Sequence, residues 1–199
     1  MARWIEKEHL ALDEMRSLLS AEIASLPLPF PDVVGDRKLI RFLRGRDGNP
    51  VTAAKQYSEF LIWYQQNNVA EIRRKILYEG INHPHLFPLG ARIIELAPQI
   101  VIAPRAFDFR GQPITLEMYG FNPSEVLSSV SIEQYLEFLI YTLEYRSLIL
   151  EQLSHEREAA YCLAHPDPCT RVDGYGVTIM TCTIRDLKGI SSFLFSETC

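Results

Sequence analysis

The chain has 199 residues, of which 47% are hydrophobic and 23% charged; that is enough apolar side chain for one sizeable domain or two small lobes, and too much for a disordered chain. A formal net charge of −5 argues against a general nucleic-acid binder, whose contact face is basic. The N-terminal MARWIEKEHLALDEM carries charges throughout and lacks the apolar stretch of a signal peptide. No run reaches the roughly eighteen apolar residues of a transmembrane helix, and the four cysteines include no CxxC pair, so a cytosolic compartment with free thiols is expected.

Taken in order, Ile5, Leu10, Leu12, Met15, Leu18, Leu19 and Ile23 recur at the spacing of an amphipathic helix over 4–24. Pro27, Pro29 and Pro31 stop it, because proline has no amide donor and blocks helix continuation. A second helix is expected from Asp36 as N-cap through RKLIRFLRGR, with Leu39, Ile40, Phe42 and Leu43 as its apolar face. Gly45, Gly48, Asn49 and Pro50 form a turn. Thr52 then caps a third helix with Tyr57, Phe60, Leu61 and Tyr64 at helical spacing. A short fourth helix over 69–79 completes an all-helical lobe of residues 1–80.

After Gly80 the texture changes. HPHLFPLG reads as a loop, QIVIA at 99–103 as a short strand, Asp108 to Pro113 as a turn and PITLEMYG as a second strand, so a hairpin is expected. Ser131 and Gln134 make a capping box before a long helix. Ile132, Tyr135, Leu136, Leu139, Ile140 and Leu143 are expected on its buried face. Those six could supply about 9–18 kcal/mol of burial as an upper bound, so the helix must lie against something large, such as a sheet. Residues 161–175 read as loop. VTIMTCTIRDL follows, β-branched and uncharged over its first part, as a strand buried on both faces of a parallel sheet. A long helix before such a strand is the βαβ arrangement, and the fold class is α/β.

Three segments carry a resemblance. Asp36-Arg-Lys-Leu-Ile-Arg-Phe-Leu-Arg-Gly-Arg46, with Ala54 and Trp63 beyond it, is similar to a D-x-x-L-x-R-F-L-R-A-R element and a later tryptophan. Asp108-Phe-Arg-Gly-Gln-Pro-Ile114 is similar to a D-x-x-G-R-P-V turn and strand, and Thr181-Cys-Thr-Ile-Arg-Asp-Leu-Lys-Gly-Ile-Ser191 to a buried strand ending in D-L-K-G-I-S. In this order and spacing they resemble the CRAL-TRIO family of lipid-transfer proteins. The resemblance implies the helical lobe at 1–80 and, at 81–199, the front part of a lipid-binding lobe with a mostly parallel sheet flanked by helices. It also implies a phospholipid of the phosphatidylcholine or phosphatidylinositol class as ligand, with no cofactor and no catalytic residues. The cellular setting it implies is a cytoplasmic protein that meets membrane surfaces transiently, including those of the Golgi or endosomes.

The same resemblance implies lipid contacts at Thr181, Thr183, Thr115 and Arg46. Thr181 and Thr183 are two apart, so on a strand both point to one face, and a hydroxyl can donate to a phosphate oxygen; against this, threonine is also simply a good strand former. Arg37, Arg41 and Arg44 share a helix face, suited either to an anionic surface or to structural ion pairs, the latter favoured. Where phosphoinositide-transferring members continue R-A-R-K, this chain reads Arg44-Gly-Arg46-Asp47, which weakens a phosphoinositide expectation. Asp186 fits a turn or lobe-bridging role better than catalysis. Cys162, His165 and Cys169, with His155 upstream, match no standard zinc module, so no metal is expected. There is no Walker A motif, dinucleotide fingerprint, G-x-S-x-G or H-E-x-x-H.

The family's lipid lobe continues beyond D-L-K-G-I-S with further strands and a gate helix. The sequence therefore leads to the expectation of a truncated lobe with an exposed sheet edge, open to a protein partner, and without transfer activity of its own. A transfer-inactive interaction or regulatory fragment is the alternative to a lipid carrier.

Overall fold

The structure, a computed structural model, describes residues 6–26, 30–103, 105–118, 120–166 and 182–186. Thr181, Cys169, the front of the expected strand at 176–181 and the D-L-K-G-I-S end after Asp186 lie outside them. The chain divides into two compact units. One holds the described residues up to Glu71 and those from Glu151 to 166; the other holds Ile72–Leu150 and Cys182–Asp186.

The first unit is helical. The expected opening helix is two, α1 (Glu6–Leu18) and α2 (Ser20–Ala24), and a short α3 (Pro31–Val34) follows. α4 (Asp36–Arg44) buries Leu39, Ile40 and Leu43 completely, against Leu12, Met15 and Leu19 from the opening helices. Asp36 is not the N-cap. Gly35 holds that position, and the Asp36 carboxylate pairs with Arg16 instead. Thr52 is likewise not the cap of α5 (Pro50–Gln66). Asn49 caps it, its side-chain oxygen accepting from the amides of Val51 and Thr52 at 3.1 Å each, and Pro50 loses nothing at the first helical position. Ala53 and Ala54 let α5 approach the core closely, and Tyr57, Leu61 and Tyr64 bury the same stripe. The Tyr57 hydroxyl donates to the Val33 carbonyl at 2.6 Å; burial holds its pKa well above the ordinary tyrosine value.

The basic face of α4 is engaged in ion pairs within this unit. Arg44 grips both oxygens of Glu8, at 2.7 and 3.1 Å, and Arg37 pairs with Glu151 and with Glu158, the latter at 2.6 Å. Arg41 stands 3.9 Å from Glu151. These are structural contacts, as the sequence favoured.

The second unit takes most of its core from aromatic and β-branched residues. α6 (Val69–Tyr78) supplies Ile72 and Ile76. α7 (Gly90–Leu96) begins at the end of the stretch expected as loop and covers residues to which the sequence reading assigned no element, seven residues being too short to display a period. Gly90 admits no side chain: a Cβ there would meet the Pro84 carbonyl oxygen at 2.1 Å. α8 (Pro123–Ser129) was also missed, although Asn122 caps it and Pro123 opens it.

α9 (Ile132–Ala164) begins with the capping box as expected. The Gln134 amide donates to the Ser131 hydroxyl at 3.2 Å and the Ser131 amide to the Gln134 side chain at 2.9 Å. A hydrogen bond from its own backbone amide, and then one from the Ser131 side chain, hold the Glu133 carboxyl below its usual pKa. α9 runs four residues into the expected loop, and its buried face is the expected one only in part: Tyr135, Leu139 and Ile140 pack against the core. Ile132, Leu136 and Leu143 are exposed by 59%, 52% and 51%, whereas Phe138 and Tyr141 are fully buried. Phe87 decides this: its ring lies 5.1 to 6.2 Å from those of Tyr141, Tyr145 and Phe138, so the aromatic stripe turns inward and part of the aliphatic one outward. The burial ledger over the six aliphatic-stripe residues therefore overstates what they contribute.

The sheet belongs to this second unit. β1 (Gln99–Ile100) runs antiparallel to β2 (Ile114–Met118), which runs parallel to β3 (Cys182–Asp186). β1 is shorter than the expected strand at 99–103, although the hairpin is present. β3 is not buried on both faces: Thr183, Ile184 and Arg185 are exposed. Among the described residues it is the outer strand of the order β1-β2-β3, which leaves one side without a neighbour.

Candidate functional site

The register of the parallel pair decides which side chains meet. Thr115 stands beside Thr183, and Glu117 beside Arg185. Alternation places all four on one sheet face, with Ile114, Leu116, Met118, Cys182 and Ile184 on the other. One face of the β2/β3 pair is thus polar and the other apolar.

Thr115 is fully buried and donates to the Thr183 hydroxyl at 2.9 Å. A threonine has one O–H to donate, and Thr115 uses its own on Thr183. The proton of Thr183 has no acceptor among the described residues, and its side chain is exposed. The pair therefore presents one outward donor on a fixed support.

Two residues further along, Arg185 Nε donates to Glu117 at 3.1 Å. The other oxygen of Glu117 lies 3.8 Å from an Arg146 guanidinium nitrogen, reaching in from α9. Burial lowers the Arg146 pKa and the Glu117 charge opposes that shift. Arg146 Nε is buried and has no hydrogen-bond partner among the described residues. The cluster thus has two guanidinium groups, one carboxylate and an outward hydroxyl. Guanidinium groups and a hydroxyl are the kinds of group that suit an anionic oxygen such as that of a phosphate.

Of the site residues expected from sequence, Thr115 and Thr183 are in direct contact. Thr181 lies outside the described residues. Arg46 belongs to the helical unit, exposed, its guanidinium 3.4 Å from the neighbouring Gly45 carbonyl. Glu117, Arg146 and Arg185 were not anticipated; strand register alone brings them together, and no local spacing announces it. Among the described residues no three His, Cys, Asp or Glu side chains could hold a metal. His165 stacks on Tyr161, ring centroids 4.4 Å apart, and Cys162 forms no disulfide among the described residues.

No family model matches the chain. The chain is similar to the SEC14 cytosolic factor of Eremothecium gossypii, with 29% identity over 189 residues. The similarity spans 94% of this chain and 50% of that protein, so the chain covers about half the length of the curated relative it matches. A match over most of the chain points the same way as the three motifs, to a Sec14-like relationship. No helix among the described residues is long and apolar enough to cross a membrane.

Proposed function

We propose that this chain supplies the headgroup-facing part of a Sec14-like lipid carrier, and that it is a binding module, not an enzyme. Its ligand is a phospholipid of the phosphatidylcholine or phosphatidylinositol class, presented or transferred at cytosolic membrane surfaces, including those of the Golgi or endosomes. The observation that carries this reading is the Thr115–Thr183 hydroxyl pair, set on parallel strands inside the segment that is similar to the SEC14 cytosolic factor. Thr183 has a proton to give to a phosphate oxygen, and Arg146 and Arg185 add positive charge on the same face. Acyl chains would need apolar cover, since each CH₂ left in water forgoes about 0.8 kcal/mol.

A second reading has its own support. Ile184 is 49% exposed on the apolar face of β3, and β3 is the outer strand among the described residues. An open strand edge pairs readily with another chain, so an interaction fragment that binds a protein partner would use this strand.

The two readings separate in one experiment. The purified chain is incubated with phosphatidylcholine vesicles, re-isolated and weighed by native mass spectrometry. The carrier reading predicts a folded monomer retaining phospholipid, with retention about fivefold lower in Thr183→Val, the loss of roughly one hydrogen bond. A folded monomer that retains none contradicts the carrier reading. A stable dimer without lipid favours the interaction reading.

A further inference from the structure

The turn between Phe107 and Pro113, which bridge each other across its base, carries the most exposed large apolar side chain among the described residues. Phe109 stands at the tip with 91% of its surface exposed, and Phe107 is half exposed. Single exposed apolar residues are ordinary; three further features set this one apart.

The first is rigidity. The Asp108 amide donates to the Gln112 carbonyl at 2.9 Å and the Gly111 amide to the Asp108 carbonyl at 2.9 Å. The Asp108 carboxylate accepts from the amides of Arg110 and Gln112, each at 2.8 Å. Gly111 supplies the positive φ of 71° that closes the loop. A ring held out on so constrained a turn loses little conformational freedom on burial.

The second is charge. Arg105 and Arg110 are exposed on either side of Phe109. Asp108 is the one acidic residue between 105 and 113, and its carboxylate is engaged in the turn. The third is the Arg110 guanidinium, 5.1 Å from the Phe109 ring centroid. An exposed aromatic ring with a guanidinium over its face and a second arginine in the same segment suits the boundary between lipid headgroups and acyl chains, where the ring goes down and the guanidinium groups stay among phosphates.

We propose that the Asp108–Gln112 turn is a membrane-contact tip that seats Phe109 in an anionic lipid surface, with Arg105 and Arg110 on the headgroups. This contact needs no lipid held as cargo, so it stands or falls separately from the carrier reading.

The test is co-sedimentation of the full chain with phosphatidylcholine vesicles, with and without phosphatidylserine. Binding is expected to the phosphatidylserine vesicles and to fall as salt is raised. Phe109→Ser should weaken it about tenfold, and Phe109→Trp should preserve it. Arg105→Ser and Arg110→Ser should each weaken it about fivefold, and only on the anionic vesicles. Because Phe109 packs against so little, an unchanged circular dichroism spectrum is expected in every variant. Equal binding by the parent chain and Phe109→Ser, or no binding by the parent chain, would overturn the proposal. So would self-association without vesicles that Phe109→Ser abolishes, since the tip would then be a contact between copies.

Discussion

The helical unit and the sheet-bearing unit solve the problem of polar side chains in opposite ways. Around α4 the cations are matched within the unit: Arg44 with Glu8, Arg37 with Glu151 and Glu158. Beneath them Leu39, Ile40 and Leu43 are sealed. On the β2/β3 pair the inner partner, Thr115, is sealed, while Thr183 and Arg185 face outward. The first arrangement leaves little for a ligand to gain by binding. The second holds the Thr183 hydroxyl on a sealed partner and leaves its outer side exposed, which is what a recognition surface requires. The difference teaches that a basic motif can be structural while a modest pair of threonines is the better candidate for binding.

Substitutions can break this contrast, beginning with the largest expected effect. Leu39→Ala should lower unfolding stability by about 2–5 kcal/mol, because it opens a cavity in a sealed core. Ile184→Ser should change stability by no more than about 0.5 kcal/mol, as for other surface sites. Chemical denaturation of both variants measures the contrast directly. A large loss at Ile184 would mean that β3 is structural and not a presented surface. Thr115→Val sharpens the same point on a smaller scale. It removes the donor to Thr183 while keeping shape, so about 1 kcal/mol of stability should go. If instead the variant is as stable as the parent, the hydroxyl pair is not a fixed support.

Much of the helical unit was legible from sequence because its signals are local: Leu39, Ile40 and Leu43 repeat at helical spacing. In the sheet-bearing unit the Ser131–Gln134 box is local in the same way, visible in four residues. Caps were less legible: Asp36 and Thr52 are good capping residues, but Gly35 and Asn49 sit where the helices actually begin. The inward face of α9 was misread because aliphatic periodicity alone ignored Phe138 and Tyr141, whose partner Phe87 lies far back in the chain. The candidate site was half legible. Motif resemblance pointed to Thr115 and Thr183, which the register brings into contact, yet Glu117, Arg146 and Arg185 meet only through strand pairing and a helix that reaches the same face. No one-dimensional pattern encodes that meeting.

In the proposed carrier the polar face of β2 and β3 meets the headgroup of a phospholipid. Photo-crosslinking tests it most directly, using a phosphatidylcholine that carries its reactive group near the phosphate. After incubation with the purified chain and irradiation, label is expected on peptides containing Ile114–Met118 and Cys182–Asp186, and about fivefold less of it in Thr183→Val. Label confined to other peptides, or unchanged in that variant, would contradict the account.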